Sequence, residues 1–134
     1  MPESNLARAD ITREIIGAFF TVYNRLGHGF VESNYAEALA AHLRAAGRHV
    51  AREYATKVYY QDVVIGVHRL DMVVDLKVVV EIKSTPVLAA YARRQLYNYL
   101  RATNLEVGLL LHFGPKPSYQ RLYVPNRSAP APDR

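Results

Sequence analysis

The spacing of hydrophobic residues changes period along this chain, and the changes divide it into elements. From Asp10 to Leu26 the apolar residues Ile11, Ile15, Phe19, Val22 and Leu26 recur every three or four positions, which lines one face of a helix. Asp10 stands where a cap belongs and Gly27 where a helix stops. A glycine-punctuated link, Gly27 to Val31, leads to a second helix predicted from Glu32 or Ser33 to Ala46. Tyr35, Leu39, Leu43 and Ala46 form its buried side, and Gly47 ends it. From Arg48 to Tyr60 the residues become β-formers, Gln61-Asp62 reads as a turn, and Val63 to Val74 is a second strand with a bend expected at Gly66. A third strand runs from Lys77 to Ser84. Pro86 is suited to the first turn of a helix capped by Ser84 or Thr85. That helix is predicted to reach Thr103, with Leu88, Tyr91, Leu96, Tyr99 and Leu100 as its apolar residues. Val107 to Phe113 is too apolar for a half-exposed strand and reads as buried on both faces. Gly114 to Pro117 breaks the chain before a short last strand, Arg121 to Val124.

The order is therefore ααβββαββ. A strand, a helix and a further strand in succession form a crossover that makes the third and fourth strands parallel neighbours. The expected architecture is an α/β fold with a mixed sheet flanked by helices. Residues 11–125 form one domain in this reading, with a flexible N-terminus over 1–10 and a proline-rich disordered tail over 126–134. There is no internal repeat.

The stretch Arg69 to Lys83 breaks its own pattern. Met72 to Val74 and Val78 to Val80 flank the polar break Asp75-Leu76-Lys77, a hairpin signal. With the turn centred on Leu76, Val74 pairs with Val78 and Asp71 lies opposite Glu81, their Cβ atoms about 4.5–5.5 Å apart. Val79, Glu81 and Lys83 then share one face of the third strand. Two facing carboxylates repel, and an apolar strand has no structural need for them. A divalent metal gives them one. Mg²⁺ takes oxygen ligands, so Asp71, Glu81 and the backbone carbonyl of Ile82 are candidate metal ligands. Such a metal polarises a phosphate and acidifies a water, and Lys83 on the same face orients that water and offsets charge in the transition state. The competing reading is a solvated face with a Glu–Lys pair.

Bulk composition narrows the partners less than the motif does. At 134 residues, 50% hydrophobic and 22% charged, the chain is ordinary for a globular domain. It contains no cysteine, which excludes disulfides and thiolate metal sites and fits a reducing cytoplasm. The opening residues lack the apolar segment of a secretory signal, and no apolar run is long enough to span a bilayer. The net charge of +5 is compatible with nucleic acid. Arg93, Arg94 and Arg101 lie on the helix after the Glu-Ile-Lys strand, where they either contact phosphate or form a solvated face. Tyr99 on the same helix is a candidate base-stacking residue, although most tyrosines of a domain fill the core. Glu32 reads as a charge favoured at a helix N-terminus. Gln95, by itself, reads as a surface glutamine. The five histidines show no metal-ligand spacing.

Gly29-Phe-Val-Glu32-Ser-Asn-Tyr35 resembles the signature of the GxxExxY proteins, part of the PD-(D/E)xK nuclease superfamily. The resemblance continues through Glu37-Ala-Leu, Tyr59-Tyr60, Arg69-Leu-Asp71, Glu81-Ile-Lys83, Gln95 to Leu100 and Gly108 to Gly114, and covers roughly residues 12–124. It implies a restriction-endonuclease-like core and a Mg²⁺- or Mn²⁺-dependent nuclease. By position Asp71 and Glu81 match the metal-binding acids, Lys83 the catalytic lysine, Glu32 an acid that supports the metal or its water, and Gln95 a glutamine near the site. Leu70 stands where the superfamily's name places proline.

The resulting expectation is a metal-dependent deoxyribonuclease, with DNA favoured over RNA, no membrane partner, and a homo-oligomer plausible because so small a domain offers little surface to a duplex. The alternative is a module on a nuclease fold that binds nucleic acid or a partner without turnover. A third is a hydrolase of nucleotides or other small phosphoesters. Binding alone gives no use to Asp71 and Glu81, which repel phosphate unless a metal is present.

Overall fold

The computed structural model describes residues 8–125. The flexible and disordered segments expected over 1–7 and 126–134 lie outside the described residues, while Ala9 and Asp10, expected in the flexible N-terminus, are helical. The elements are α1 (Ala9–Leu26), α2 (Glu32–Ala45), β1 (Val50–Tyr60), β2 (Val63–Val74), β3 (Val78–Lys83), α3 (Tyr91–Thr103), β4 (Val107–Phe113) and β5 (Pro117–Tyr123). The five strands form one sheet in the order β1-β2-β3-β4-β5. β3 and β4 are parallel and the other neighbours antiparallel, as the crossover predicted.

Helices cover both faces. On one, Ile11, Ile15, Phe19 and Val22 of α1 and Tyr35, Leu39 and Leu43 of α2 pack against Met72, Val74, Val80, Ile82, Leu109 and Leu111. On the other, Ala92, Leu96 and Leu100 of α3 pack against Val73, Val79, Leu110 and Leu122. Every residue of β4 is buried, because it lies inside the sheet with helices on both sides. α3 sits so close to β4 that a Cβ at Gly108 would stand 3.0 Å from the Leu96 side chain. Phe113 anchors the first core, with Tyr35 stacked on it at 4.1 Å and Phe19 edge-on at 4.7 Å.

Several boundaries differ from expectation. Asp10 lies in the first turn of α1 and does not cap it; Arg8 holds that position with no side-chain cap. α3 begins at Tyr91, not at Pro86. The reason is tertiary. The Ser84 amide donates to Glu32, Thr85 Oγ1 donates to the Val87 carbonyl, and the Thr85 carbonyl accepts from His112 Nε2 at 2.7 Å. These contacts fix a bent, non-helical path across the sheet end, so the first helical turn is displaced to Tyr91. Tyr91 is exposed in consequence, and Ala92 takes the buried place expected of it. Ala46 is also exposed, one residue past the end of α2. β5 starts four residues earlier than expected, at Pro117, where an edge strand tolerates a proline as its first residue.

The β2–β3 turn follows the predicted register. Val74 pairs with Val78, Val73 with Val79 and Met72 with Val80. Asp75 and Leu76 both adopt positive φ, 54° and 55°, a pair of values that turns a hairpin in the sense of the sheet twist. Asp75 is fixed by Arg48 at 2.8 Å and by the His49 amide at 2.9 Å.

Candidate active site at the mouth of the central hairpin

The backbone ladder between β2 and β3 ends at Met72↔Val80. Beyond it, side chains take over. Glu81 Oε2 accepts from the Asp71 amide at 3.2 Å, and Asp71 Oδ2 accepts from the Ile82 amide at 2.7 Å. Met72 packs in the α1/α2 core whereas Leu70 packs in the α3 core, so the alternation of faces breaks at Asp71. Asp71 also has no Cα partner in β1, where the facing Glu53 has a φ of 51°. This irregularity turns the Asp71 carboxylate towards Glu81 and the amides of β3.

Glu81 is buried, only 5% exposed, and Asp71 beside it is half-buried. Burial raises the pKa of both, and the negative charge of Asp71 adds to the effect on Glu81, which is pushed up to about 8. The Ile82 amide, Lys83 and Arg52 pull Asp71 the other way, as the Asp71 amide and Lys83 do for Glu81. They do not win. Without a cation the pair shares a proton at neutral pH, since two adjacent buried carboxylates do not ionise together.

Three further residues, from β3, α2 and α3, lie around this pair. Lys83 lies two residues beyond Glu81 at the end of β3, where its charge favours the ionised form of both acids. Glu32, the first residue of α2, crosses to the same strand end and accepts from the Ser84 amide at 3.3 Å. Tyr99 on α3 is near enough that Glu81 and Asp71, after burial, raise its pKa. Gln95 is half-buried one turn before Tyr99 and makes no hydrogen bond to the acid pair.

The loop before α2 explains how Glu32 arrives. Gly29 has a φ of 117°, a conformation essentially restricted to glycine. Tyr35 is fully buried, and its hydroxyl donates to the Gly27 carbonyl at 2.5 Å and accepts from the Phe30 amide at 3.2 Å. The glycine permits the loop, the tyrosine clamps it, and α2 starts with Glu32 aimed at β3.

The arginines of α3 divide. Arg93 donates to Gln120 of β5 at 2.9 Å. Arg94 and Arg101 flank the Tyr97 ring, 5.0 and 6.0 Å from its centroid, two turns apart on one exposed face. Sequence reasoning passed over Arg52. Its Nε donates to the Asp71 carbonyl at 3.1 Å, and its guanidinium is ion-paired with Glu37 of α2. The available signal was an arginine in β1 only two residues from the strand's buried start, but using it requires the β1–β2 register.

The donor set suits a hard cation. It offers two carboxylates and, between Glu81 and Lys83, the Ile82 carbonyl, all oxygen. Among the described residues no three His, Cys, Asp or Glu side chains are grouped closely enough to enclose a metal ion. The acid pair thus resembles a Mg²⁺-type site, where one or two carboxylates bind and water or substrate oxygens complete the shell.

A mixed sheet in this order, with helices on both faces, is a restriction-endonuclease-like α/β fold. The chain belongs to the PD-(D/E)XK nuclease superfamily, whose family model matches residues 9–122. Among solved structures it is similar to the crystal structure of SSO0001, with 18% identity and a TM-score of 0.52 over 96% of this chain and 64% of that one. The chain therefore spans 64% of the length of that relative, and the likeness is one of fold. No curated protein matches the sequence. Among the described residues no helix is long and apolar enough to cross a membrane.

Proposed function

We propose that this chain is a divalent-metal-dependent nuclease of the GxxExxY type that hydrolyses phosphodiester bonds in DNA. The observation that carries the reading is the placement of half-buried Asp71 against buried Glu81, two carboxylates whose joint ionisation is unfavourable until a cation joins them. Asp71, Glu81 and the Ile82 carbonyl would hold Mg²⁺ or Mn²⁺, which when bound polarises a phosphate and acidifies a water. Lys83 orients the attacking water and offsets charge on the phosphate oxygens as the bond to the leaving oxygen breaks. Glu32, held at the strand end by the Ser84 amide, takes the role of an acid acting through water. Gln95 positions water or phosphate beside the pair. Arg94 and Arg101, and Arg93 when released from Gln120, contact the strand backbone, and Tyr99 lies under the bound nucleotide. A cytoplasmic location agrees with the absence of cysteine.

The test is cleavage of single- and double-stranded DNA and RNA by the purified chain in Mg²⁺ or Mn²⁺, with and without EDTA. DNA cleavage is expected, with loss in EDTA and at least about a hundredfold loss in Lys83→Ala. Among the described residues the Lys83 side chain forms no ion pair or hydrogen bond, so its truncation should spare the fold. A folded wild type that takes up Mn²⁺ in calorimetry yet cuts no substrate would refute the assignment. Failure to take up Mn²⁺ would favour a binding module.

A further inference from the structure

β1 and β2 continue well past the sheet they belong to. β2 pairs with β3 only over Met72–Val74, while β1 and β2 stay paired out to Tyr60↔Val63. The residues beyond Asp71 therefore form a two-stranded ribbon, touched at its base by Tyr99, whose ring lies 5.7 Å from that of His68. β1 is the end strand of the sheet, so its outer edge is open, and along the ribbon β2 has no strand on its far side either.

The ribbon is apolar where it should be polar. Tyr54, Tyr59, Tyr60, Val63, Val64, Ile65 and Val67 are 37–65% exposed, and they make up seven of the 13 exposed large hydrophobic residues described. Isolated two-stranded ribbons are marginal in water, and open apolar edges are normally blunted by charge or proline. Between Tyr54 and His68 the only charged residues are Lys57 and Asp62, which cancel, and there is no proline. That neutrality separates the ribbon from a nucleic-acid surface, whose affinity comes from an excess of positive charge.

The geometry points to a second copy of this chain: we propose that the β1–β2 ribbon is a dimerisation surface that pairs with the same ribbon of another protomer. An open β edge is self-complementary under a two-fold axis, since each copy supplies the donors and acceptors the other lacks. Seven large side chains, each roughly half exposed, offer on the order of 600–800 Å² divided between the two faces of the ribbon, against the roughly 800 Å² per partner of a standard interface. This inference does not rest on the nuclease reading.

The absence of native cysteine makes the test clean. Wild type is expected to sediment as a dimer at micromolar concentration. Tyr60→Lys combined with Ile65→Lys places two charges on residues already exposed in the monomer; it should keep the circular dichroism spectrum and weaken dimerisation about a hundredfold or more. Mild oxidation of Ile65→Cys should give a covalent dimer, while Leu76→Cys, exposed at the opposite end of β2, should stay monomeric. A wild type that remains monomeric to about 200 µM, above the Kd range of such interfaces, overturns the proposal. So does a dimer that the lysine pair leaves intact, or one that cross-links through Leu76→Cys. A monomeric wild type whose DNA binding falls in the lysine variant would reassign the ribbon to nucleic acid.

Discussion

In the metal-free protein, stability should fall as pH rises through neutrality, and Glu81 should be the reason. Its carboxyl lies at about 8 in the fold against 4.5 for an ordinary glutamate, chiefly from burial and then from Asp71. Between those values the folded chain holds a proton that the unfolded chain has released. The native state binds more protons, so the stabilisation is fully present below about 4.5 and is lost as pH climbs through about 8. For a single group of this kind the loss from pH 5 to pH 9 is about 4 kcal/mol. The raised Asp71 acts in the same direction. Glu81→Gln removes the titration and keeps an oxygen to accept from the Asp71 amide. Urea unfolding in EDTA at unit pH intervals should therefore show a decline for wild type and a much flatter profile for Glu81→Gln, with the variant about 2–4 kcal/mol more stable than wild type at pH 9. Saturating Mn²⁺ should flatten the wild-type profile too, because the cation replaces the proton. Parallel profiles for wild type and variant in EDTA would refute the electrostatic account of the pair.

Other perturbations test the scaffold. Leu76→Gly relieves a positive φ that leucine tolerates poorly in the β2–β3 turn and should stabilise by about 0.5–1 kcal/mol, read as a rise in Tm. Gly29→Ala places a Cβ at a φ of 117°; it should cost about 1–3 kcal/mol in chemical denaturation and lower cleavage by displacing Glu32. Arg52→Gln removes the bond to the Asp71 carbonyl and should weaken Mn²⁺ binding in calorimetry while costing about 1–2 kcal/mol. Glu37→Gln, at the exposed end of that ion pair, should change stability by less than about 0.5 kcal/mol.

Much of the fold was legible because its signals are local. The α1 stripe, the β2–β3 register and the buried character of β4 each follow from periodicity and turn chemistry, and each appears in the structure. The start of α3 was not legible. Ser84, Thr85 and Pro86 carry every local mark of a helix N-terminus, yet their polar groups are engaged by Glu32, Val87 and His112. The length of β5 was hidden for a similar reason, since its ladder partner β4 supports a strand from a proline that reads locally as a break. At the site, Asp71, Glu81 and Lys83 stand out as charges in an apolar hairpin, and Tyr35 as part of a spaced motif. Arg52 does not, because its meaning depends on where β1 lies beside β2. The same dependence hid the apolar ribbon, whose residues read as ordinary strand until the structure leaves both of its edges open.

The hairpin at the centre of the sheet is closed at its mouth by carboxylates where other hairpins use peptide groups. One consequence concerns how the chain can vary. Loss of either acid removes a candidate ligand and, in the same step, strips an acceptor from a backbone amide between two packed strands. Alanine at position 71 or 81 therefore perturbs architecture and chemistry together, whereas asparagine or glutamine keeps the acceptor and alters only charge. If the proposed nuclease reading holds, a descendant without catalysis would be free to drift at Lys83 long before it could drift at Asp71. In this hairpin the lysine, whose side chain makes no hydrogen bond or ion pair among the described residues, is on the proposed reading the more sensitive record of whether the chemistry is in use.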